Sequence, residues 1–323
     1  MRDKAILLVI VCILISMTFV GCKKDVKDAT YSLEYNGKTY EGKYTGVMED
    51  DKPIEKGKFI SGEEGSEKYL IYDGEWKKGK MKGKGKLSTD NYIVHFPEYN
   101  DDPAIDRTGV YSGDVIDGIA NGEGTFEATT DDNVKYKYEG DWKDGLFEGN
   151  GKQTYEDEDY PIKEGNYSKG SFAPTVSETI KAWGTYKNLS PYSLSEDDIN
   201  FIDKNEKAFL KHDKKTISSN ILKSFSETKF KKSRKAEKPG FVKIGNLHVY
   251  QVMEDNYWGR DVTEIMCDKD DTSYMLYYFG KSDKLMDDNT VSLTLMPHGY
   301  ATYEDVNGTT PWAISGTIVK IGD

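Results

Sequence analysis

The chain has 323 residues, of which 56 are Asp or Glu and 44 are Lys or Arg, so its formal net charge is −12 at pH 7. This length is sufficient for two or three domains, and the acidic balance argues against nucleic acid as a general partner. The 23 tyrosines favour a fold rich in β-strands, where aromatic side chains pack well on a pleated surface.

The N-terminus has the organisation of an export signal. Arg2 and Lys4 precede Ala5–Val20, a run of apolar and small residues that suits the core of a signal peptide and is shorter than a membrane-spanning helix. The run ends in Phe19-Val20-Gly21-Cys22, which resembles a bacterial lipobox with Phe where that motif usually has Leu. The resemblance implies that residues 1–21 are removed and that Cys22 is diacylated, which would anchor the protein at the extracytoplasmic face of the cell membrane. The alternative is an ordinary secretory signal in which Cys22 is incidental.

Two expectations concern the chain that this processing would leave. Residues 22–39 are predicted to form a polar tether, because lysine and aspartate follow Cys22 directly. Cys12 would leave with the signal and Cys22 would carry lipid, so Cys267 alone remains and no internal disulfide can form. Cys267 lies in a strand-like run with no histidine near it in sequence, which favours a small buried residue over a reactive thiol.

One pattern, Tyr-x-Gly-acid-x-x-x-Gly-x-x-x-Gly-x-Gly, occurs three times, beginning at Tyr72, Tyr111 and Tyr138. Such self-similarity is the mark of a repeat architecture. Alternation of apolar and charged residues, then a Gly, then a Gly-x-Gly pair predicts a half-buried strand, a tight turn and a return strand. Because glycine weakens a strand, the pair implies close approach of a neighbour. We expect a row of hairpins in which the aromatic residues of each hairpin stack over the glycines of the next.

These copies resemble MORN repeats, as in the segment 138–151, and the resemblance extends over about residues 40–172 with partial copies at both ends. It implies an elongated, curved β-sheet that mediates binding, dimerisation or membrane proximity in many unrelated proteins. The middle copy has Val115 where the others have Trp, so its packing is expected to be looser. Four aromatic residues are candidate binding residues, although packing in the core would explain them at least as well: Tyr72, Trp76, Tyr138 and Trp142.

Residues 173–238 are predicted to be a linker with one or two short helices. Ser195 precedes three acidic residues and is a candidate helix N-cap, and apolar residues at helical spacing lie on both sides of a break near His212 and Asp213. The basic stretch from Lys229 to Lys238 could meet an anionic surface such as lipid headgroups or a wall polyanion. The favoured alternative is a solvated loop between a helix and a strand. The candidate binding residues of this stretch are Lys231, Lys232, Arg234 and Lys235.

Residues 239–323 are predicted to form a second β-rich unit with five strands, at 247–253, 262–267, 274–279, 291–296 and 312–321. This series of strands and turns resembles the OB-like domains of exported bacterial lipoproteins. The resemblance implies a small barrel that binds oligonucleotides or oligosaccharides on one face, although the fold alone assigns neither ligand.

The sequence contains no zinc-protease, nucleophile-elbow, P-loop or Cys-x-x-Cys motif. Its four histidines have no ligand spacing, and Asp268, Asp270 and Asp271 lack the glycine and distal glutamate of a calcium-binding loop. A hydrolase acting through carboxylates such as Glu264 and Asp268 would need two of them in one cleft, one with a raised pKa. We therefore expect no catalytic residue, no cofactor and no metal.

Together these patterns predict a mainly β protein, with a MORN-like sheet of stacked hairpins, a short helical linker segment and a small OB-like barrel. The leading functional hypothesis is a lipid-anchored, non-catalytic binding or scaffold protein at the cell surface. Its expected contacts are the membrane, through the anchor, and an unidentified protein or cell-envelope polymer, with no nucleic acid. The alternative is that the OB-like domain binds a glycan or another polyanion while the repeats act as a spacer.

Overall fold

The computed structural model describes residues 23–97, 104–185, 193–233, 238–302 and 312–322. These residues form an open antiparallel sheet and a closed barrel, with short helices between them in the chain. The prediction of a mainly β fold is confirmed. Within these ranges, no helix combines the length and apolarity that a membrane crossing requires. The predicted lipidation site, Cys22, lies outside the described residues.

The N-terminal sheet is a continuous meander, in which each strand pairs with the next one along the chain. All of these pairs are antiparallel, so short turns can join them. The strands are β1 (Lys23–Tyr35), β2 (Lys38–Glu49), β3 (Lys52–Ser61), β4 (Leu70–Lys77), β5 (Lys80–Phe96), β6 (Ile105–Ile116), β7 (Ile119–Thr129), β8 (Lys135–Lys143), β9 (Leu146–Tyr155), β10 (Lys163–Ser168) and β11 (Ser171–Phe172).

The first strand corrects the prediction of a polar tether over residues 22–39. β1 pairs with β2 along nearly its whole length, with one irregularity between Val26 and Ala29. Tyr31, Leu33 and Tyr35 alternate with polar residues and pack against the aromatic cluster of the repeats. This period-two pattern is the physical reason that the segment joins the sheet, since it gives the strand one apolar face.

The three predicted hairpins are present as β4–β5, β6–β7 and β8–β9. Their turn glycines, Gly79, Gly118 and Gly145, have φ values of 81°, 79° and 85°, which a side chain would disfavour. In each hairpin the strand pairing shifts just after the Gly that precedes the acidic residue. The acidic residue therefore lies in a β-bulge, which bends the hairpin.

The tyrosine that opens each repeat packs over glycines of its own hairpin. The ring of Tyr138 covers Gly140 and Gly151, and its hydroxyl donates to the carbonyl of Asp141 at 2.8 Å. Tyr72 and Tyr111 make the same contacts and the same hydrogen bond in their own hairpins. The expectation that rings stack over the glycines of the next hairpin is therefore wrong, because the tyrosine hydroxyl reaches the bulge of its own strand.

The tryptophans join each repeat to the preceding hairpin. Nε1 of Trp142 donates to the carbonyl of Gly124 at 3.1 Å, and Nε1 of Trp76 donates to the carbonyl of Gly57 at 2.9 Å. Both indoles are buried in the same aromatic cluster. Each repeat thus depends on its neighbour for part of its core, as expected of units that cannot bury an apolar face alone.

The middle repeat, which lacks this tryptophan, also buries its core residues. Val115 is only 1% exposed, and the ring of Tyr92 stacks on Tyr111 with their centroids 4.6 Å apart. Tyr92, from the long strand β5, thus supplies a ring beside Tyr111 in the repeat that has Val115 in place of tryptophan.

In the described part of the chain, five short helices follow the sheet: α1 (Val176–Trp183), α2 (Glu196–Lys204), α3 (Glu206–Leu210), α4 (Lys214–Ser219) and α5 (Glu227–Ser233). Ser195 caps α2 as predicted, since its side chain accepts the N–H of Asp198. The predicted break near Asp213 separates α3 from α4. The expectation of one or two helices over residues 173–238 is too low, and α1 lies ahead of the predicted N-cap, where no helix is predicted from the sequence. A capping box of Thr175 and Glu178 starts α1.

The C-terminal barrel contains the five predicted strands, most of them longer than expected. They are β12 (Val242–Tyr257), β13 (Arg260–Lys269), β14 (Thr272–Phe279), β15 (Thr290–Thr302) and β16 (Trp312–Ile321). The barrel closes in the order β12-β13-β14-β16-β15. Neighbours are antiparallel except for β14 and β16, which run parallel.

The barrel strands bury side chains on both faces. The interior cluster includes Val249, Ile265, Cys267, Leu276, Leu295, Ile318 and, from α5, Phe230. The outward side chains of β13 and β14 belong to a second cluster shared with α1 to α4, which includes Val262, Met266, Met275, Tyr277 and Phe279. Burial raises the pKa of the Cys267 thiol to about 12, which agrees with the prediction of a small buried residue.

The turn between β12 and β13 contacts the end of the repeat sheet. Trp258 packs on Phe172 of β11, with ring centroids 5.1 Å apart, and Nη1 of Arg260 donates to Oγ1 of Thr179 at 3.1 Å. Trp258 thus covers the last strand of the aromatic core. A repeat array needs such a cap because its terminal unit has no further neighbour.

Candidate interaction surface

The inner face of the repeat sheet, defined as the face that carries the aromatic cluster, is filled by the protein's own side chains. Tyr72 and Tyr138 are 0% exposed, and Trp76 and Trp142 are 3% exposed. Their polar atoms donate to backbone carbonyls inside the sheet. The geometry favours core packing, the alternative that the sequence left open for these four candidate binding residues. A partner could reach the rings only by opening the core.

The outer face carries exposed charged residues in stripes that follow the strands. β3 presents Lys56 and Lys58, and β4 presents Asp73 and Glu75. β5 presents four lysines that alternate with buried or half-buried residues, and such alternation directs them to one side of the strand. We call these four residues the lysine stripe: Lys80, Lys82, Lys84 and Lys86.

Half of the lysine stripe is paired with acidic residues of the next hairpin. Lys82 contacts Asp117, and Nζ of Lys86 lies 3.3 Å from Oδ1 of Asp114. The backbone N–H of Gly83 donates to Asp117 at 2.6 Å; this bond, and next the contact with Lys82, lowers the pKa of the Asp117 carboxyl. Lys80 and Lys84 form no ion pair with any residue that the structure describes. Two cations of the stripe are therefore available to a partner.

A groove of about 660 Å³ lies beside the stripe, where the β2–β3, β4–β5 and β6–β7 hairpins meet. Its charged lining consists of Lys23, Lys56, Lys77, Lys78 and Lys82 with Glu49, Glu55, Glu75 and Asp117. Nζ of Lys23 is 2.7 Å from Oε1 of Glu55. Lys77 and Lys78, at the turn of β4–β5, have no ion pair within the described ranges. They extend the unpaired positive charge of the stripe around the turn.

A second hollow, of about 500 Å³, lies over β7, β8 and β9. Its lysines are paired locally, because Nζ of Lys135 is 3.4 Å from Oε1 of Glu156 and Nζ of Lys137 is 2.9 Å from Oε1 of Glu139. This part of the sheet is therefore neutralised by its own side chains. It provides a natural comparison for the lysine stripe.

The predicted basic stretch is helical from Lys229 to Ser233, whereas Lys238 lies in a bend before β12. Lys231 and Lys232 lie in the last turn of α5, and Phe230 beside them is buried in the barrel cluster. Nζ of Lys231 donates to Oγ1 of Thr272, whereas Lys232 is exposed. The favoured interpretation as a solvated loop is wrong for this segment, because burial of Phe230 fixes it on the barrel. Arg234 and Lys235 lie outside the described residues.

The candidate carboxylates of the barrel do not form an acid pair. Glu264 and Asp268 are four residues apart on β13, about 13 Å along a strand, which is farther than the two carboxyl groups of a glycosidase. Burial, and to a smaller extent the charge of Asp255, raises the pKa of Glu264 to about 7. Asp268 instead lies near His248, with Oδ1 and Nδ1 3.8 Å apart. Among the described residues, no group of His, Cys, Asp and Glu is arranged to hold a metal ion.

The sequence contains a signal for the lysine stripe that the aromatic pattern obscures. The segment 77–86 has six lysines and no acidic residue, and four of the lysines occupy alternate positions. Sequence spacing does not show which of them stay unpaired, because the acidic partners come from the following hairpin.

Comparison with protein-family models finds MORN repeats at residues 72–92, 111–131, 138–160 and 296–310. The first three matches coincide with the hairpins β4–β5, β6–β7 and β8–β9. The fourth begins in β15, where 296–302 pair with β16 of the barrel and not with the repeat sheet. No curated protein matches the chain.

Proposed function

We propose that the protein is a non-catalytic interaction scaffold, anchored by lipid at Cys22 to the extracytoplasmic face of the cell membrane, which binds its partner on the outer face of the repeat sheet. One observation carries the proposal: the fold itself uses the inner face, whereas the outer face is exposed and retains unpaired lysines. A solenoid of small units typically offers an extended surface for binding. The three MORN matches that coincide with hairpins of the sheet support a repeat-based interaction role.

The position of β1 determines how an anchor would hold the sheet. β1 begins at Lys23, directly after Cys22, and Lys23 pairs with Glu49 beside the β2–β3 turn. Two acyl chains on Cys22 would give stable membrane attachment. They would hold this end of the sheet close to the membrane, because no flexible spacer separates the anchor from the strand.

The barrel is better suited to support the sheet than to bind a glycan. Its strand order and its parallel pair support the OB-like interpretation, and in OB folds the second and third strands form the ligand face. Here those strands are β13 and β14, whose outward side chains are buried under α1 to α4. The barrel instead contributes Trp258 to the end of the repeat core. We therefore do not retain the glycan-binding alternative.

Capture from cell envelopes tests which region binds. The unlipidated chain, beginning at Lys23, is compared with a sheet variant, Lys80→Glu with Lys84→Glu, and with a matched helix variant, Lys214→Glu with Lys215→Glu. Both pairs are exposed lysines, so both changes alter net charge equally and should leave the fold intact. Loss of the captured partner only in the sheet variant supports the proposal. Loss only in the helix variant moves the binding surface away from the repeats and contradicts it.

Membrane fractionation of the full chain tests the anchor. Cys22→Ala removes the thiol that would carry lipid, so the variant is expected in the fraction that high salt releases, while the wild type stays with the membranes. Cys267→Ala is the matched control, since Cys267 is buried in the barrel. A Cys22→Ala chain that remains with the membranes after a salt wash would exclude anchoring by this residue.

A further inference from the structure

On the outer face of β3, β4 and β5, positive and negative side chains lie on alternate strands. The lysine stripe follows β5, and Asp73 and Glu75 follow β4, between the lysine stripe and the two lysines of β3. Neighbouring strands are about 4.8 Å apart. A ligand as narrow as a single polymer chain can therefore follow the lysine stripe without covering the acidic residues of β4.

The segment 77–86, which contains the lysine stripe together with Lys77 and Lys78, keeps a surplus of positive charge after its ion pairing. It has six lysines, and Asp114 and Asp117 are the only acidic residues of the described ranges that pair with them. This leaves a local surplus of four positive charges in a chain whose net charge is −12. An anionic partner is thus attracted to this strand and repelled by much of the remaining surface.

The spacing of the stripe indicates the form of the anion. Successive lysines are two residues apart, which corresponds to about 6.6 Å along an extended strand. A linear polymer with one phosphodiester per three-carbon unit carries its charges at a comparable spacing. We infer that the lysine stripe binds a linear phosphodiester polymer of the cell envelope, with phosphates on the unpaired Lys80 and Lys84 and one phosphate between them along β5. The inference rests on the proposed function, because it names the chemical class of the partner on the same outer face.

A flat anionic surface fits this arrangement less well than a polymer chain. It would lie over β3, β4 and β5 together, so that Asp73 and Glu75 would face the same phosphates as the lysines. Neither carboxylate is in an ion pair within the described residues, so both would repel such a surface. A single chain along β5 avoids this repulsion.

Binding of poly(glycerol phosphate) to the unlipidated chain tests the inference. The test variant is Lys80→Ala with Lys84→Ala, and the matched control is Lys135→Ala with Lys137→Ala on β8. We expect the test variant to bind about 10-fold more weakly and the control to bind like the wild type. The slope of log affinity against log salt should fall in magnitude by about 1.4 in the test variant, since each phosphate contact contributes about 0.7 for a single strand. Thermal unfolding of both variants verifies that they remain folded.

Three outcomes overturn the inference. The first is an equal loss of polymer affinity in the control variant. The second is binding of polyglutamate as tight as that of poly(glycerol phosphate), and the third is tighter binding of vesicles that contain phosphatidylglycerol than of this polymer. The envelope capture distinguishes this failure from failure of the scaffold proposal. If capture depends on Lys80 and Lys84 while the polymer does not bind, the outer face is the binding surface and the polymer is the wrong partner. If the polymer binds while capture is independent of these lysines, the scaffold proposal fails.

Discussion

The repeat sheet and the barrel bury their strands in different ways. The sheet is open and covers one face with aromatic side chains, among them Tyr138 and Trp142. The barrel is closed around aliphatic side chains such as Ile265 and Leu276, and helices cover the outward side chains of β13 and β14. The sheet therefore leaves most of its outer face to solvent, whereas the barrel leaves little of these two strands exposed. This difference is what places the candidate interaction surface on the sheet.

The two cores also differ in how strictly they fix each side chain. In the sheet, the ring of Tyr138 must lie over glycine while its hydroxyl reaches a carbonyl. Aliphatic cores tolerate exchanges that conserve volume. We conclude that stability depends mainly on the exact position of each side chain in the sheet, and mainly on the total side-chain volume in the barrel. Matched substitutions in the two regions should therefore have different effects.

The largest difference in the free energy of unfolding is expected between two glycine substitutions, one in the sheet and one in the barrel. A Cβ at Gly151 would contact Oη of Tyr138 and would lie 2.5 Å from its Cε2 and 2.6 Å from its Cζ, whereas a Cβ at Gly245 of β12 would meet only Oγ of Ser292 at 3.4 Å. Gly151→Ala should lower the free energy of unfolding by about 3 kcal/mol or more, as overpacking does when the neighbour cannot move. Gly245→Ala should change it by less than about 0.5 kcal/mol.

Urea unfolding followed by circular dichroism measures both glycine variants. Similar unfolding free energies for the two would contradict the idea that glycine fixes the ring positions in the sheet. A loss in Gly245→Ala alone would reverse the comparison.

A smaller contrast is expected between two buried tryptophans. Trp142 donates from Nε1 to the carbonyl of Gly124, whereas the buried Nε1 of Trp183 in α1 has no hydrogen-bond partner among the described residues. Trp183 instead stacks on Tyr277, with centroids 4.4 Å apart. Both Trp→Phe changes remove similar volume, but Trp142→Phe also removes a hydrogen bond. It should destabilise the protein by about 1 kcal/mol more than Trp183→Phe.

Unfolding free energies of the two Trp→Phe variants, measured under one set of conditions, test this contrast. If Trp183→Phe is the more damaging change, packing under the helices outweighs the hydrogen bond between repeats. The conclusion that stability of the sheet core depends on the exact position of each side chain would then be wrong for its tryptophans.

Much of the repeat sheet could be predicted from sequence, because its determinants are local. Turn glycines, alternating rings and the Gly-x-Gly pair lie within about 14 residues of one another in each copy. The N-cap at Ser195 and the five barrel strands are likewise encoded by short patterns. The helix α1 has such a signal too, in the capping box of Thr175 and Glu178, but Pro174 and Pro191 favour a linker in this segment.

The long-range contacts could not be predicted in the same way. The apolar residues of α2 to α4 indicate a buried face, but not that this face covers β13 and β14. In the sequence alone, the charged residues of β1 suggest a tether. The alternation of apolar and polar side chains in β1 becomes informative only when β2 is known to pair with it. The candidate surface depends on which lysines meet Asp114 and Asp117, and these acids lie about 30 residues further along the chain.

The smallest and most specific contrast is in how two carboxylates, one in the barrel and one in the sheet, affect the pH dependence of stability. Glu264 alternates with Val262 and Met266 on the helix-covered face of β13, and burial raises its pKa from 4.5 to about 7. Its favourable contribution to folding is therefore complete below pH 4.5 and is lost as the pH rises through 7. For Asp117 the folded pKa is lowered, so its contribution is present above 3.8 and is lost only as the pH falls through the folded pKa.

Glu264→Gln should therefore flatten the pH dependence of stability between pH 4.5 and 7 and should raise the free energy of unfolding by about 1 kcal/mol at pH 8. Asp117→Asn should flatten only the acidic limb of the same profile and should lower the free energy of unfolding above pH 3.8. Thermal unfolding of the three proteins from below pH 3.8 up to pH 8 gives the comparison. Parallel profiles for Glu264→Gln and the wild type would show that Glu264 is solvated, which requires the helices to leave β13 in solution. The barrel face would then be open, and the case for excluding it as a binding surface would fail.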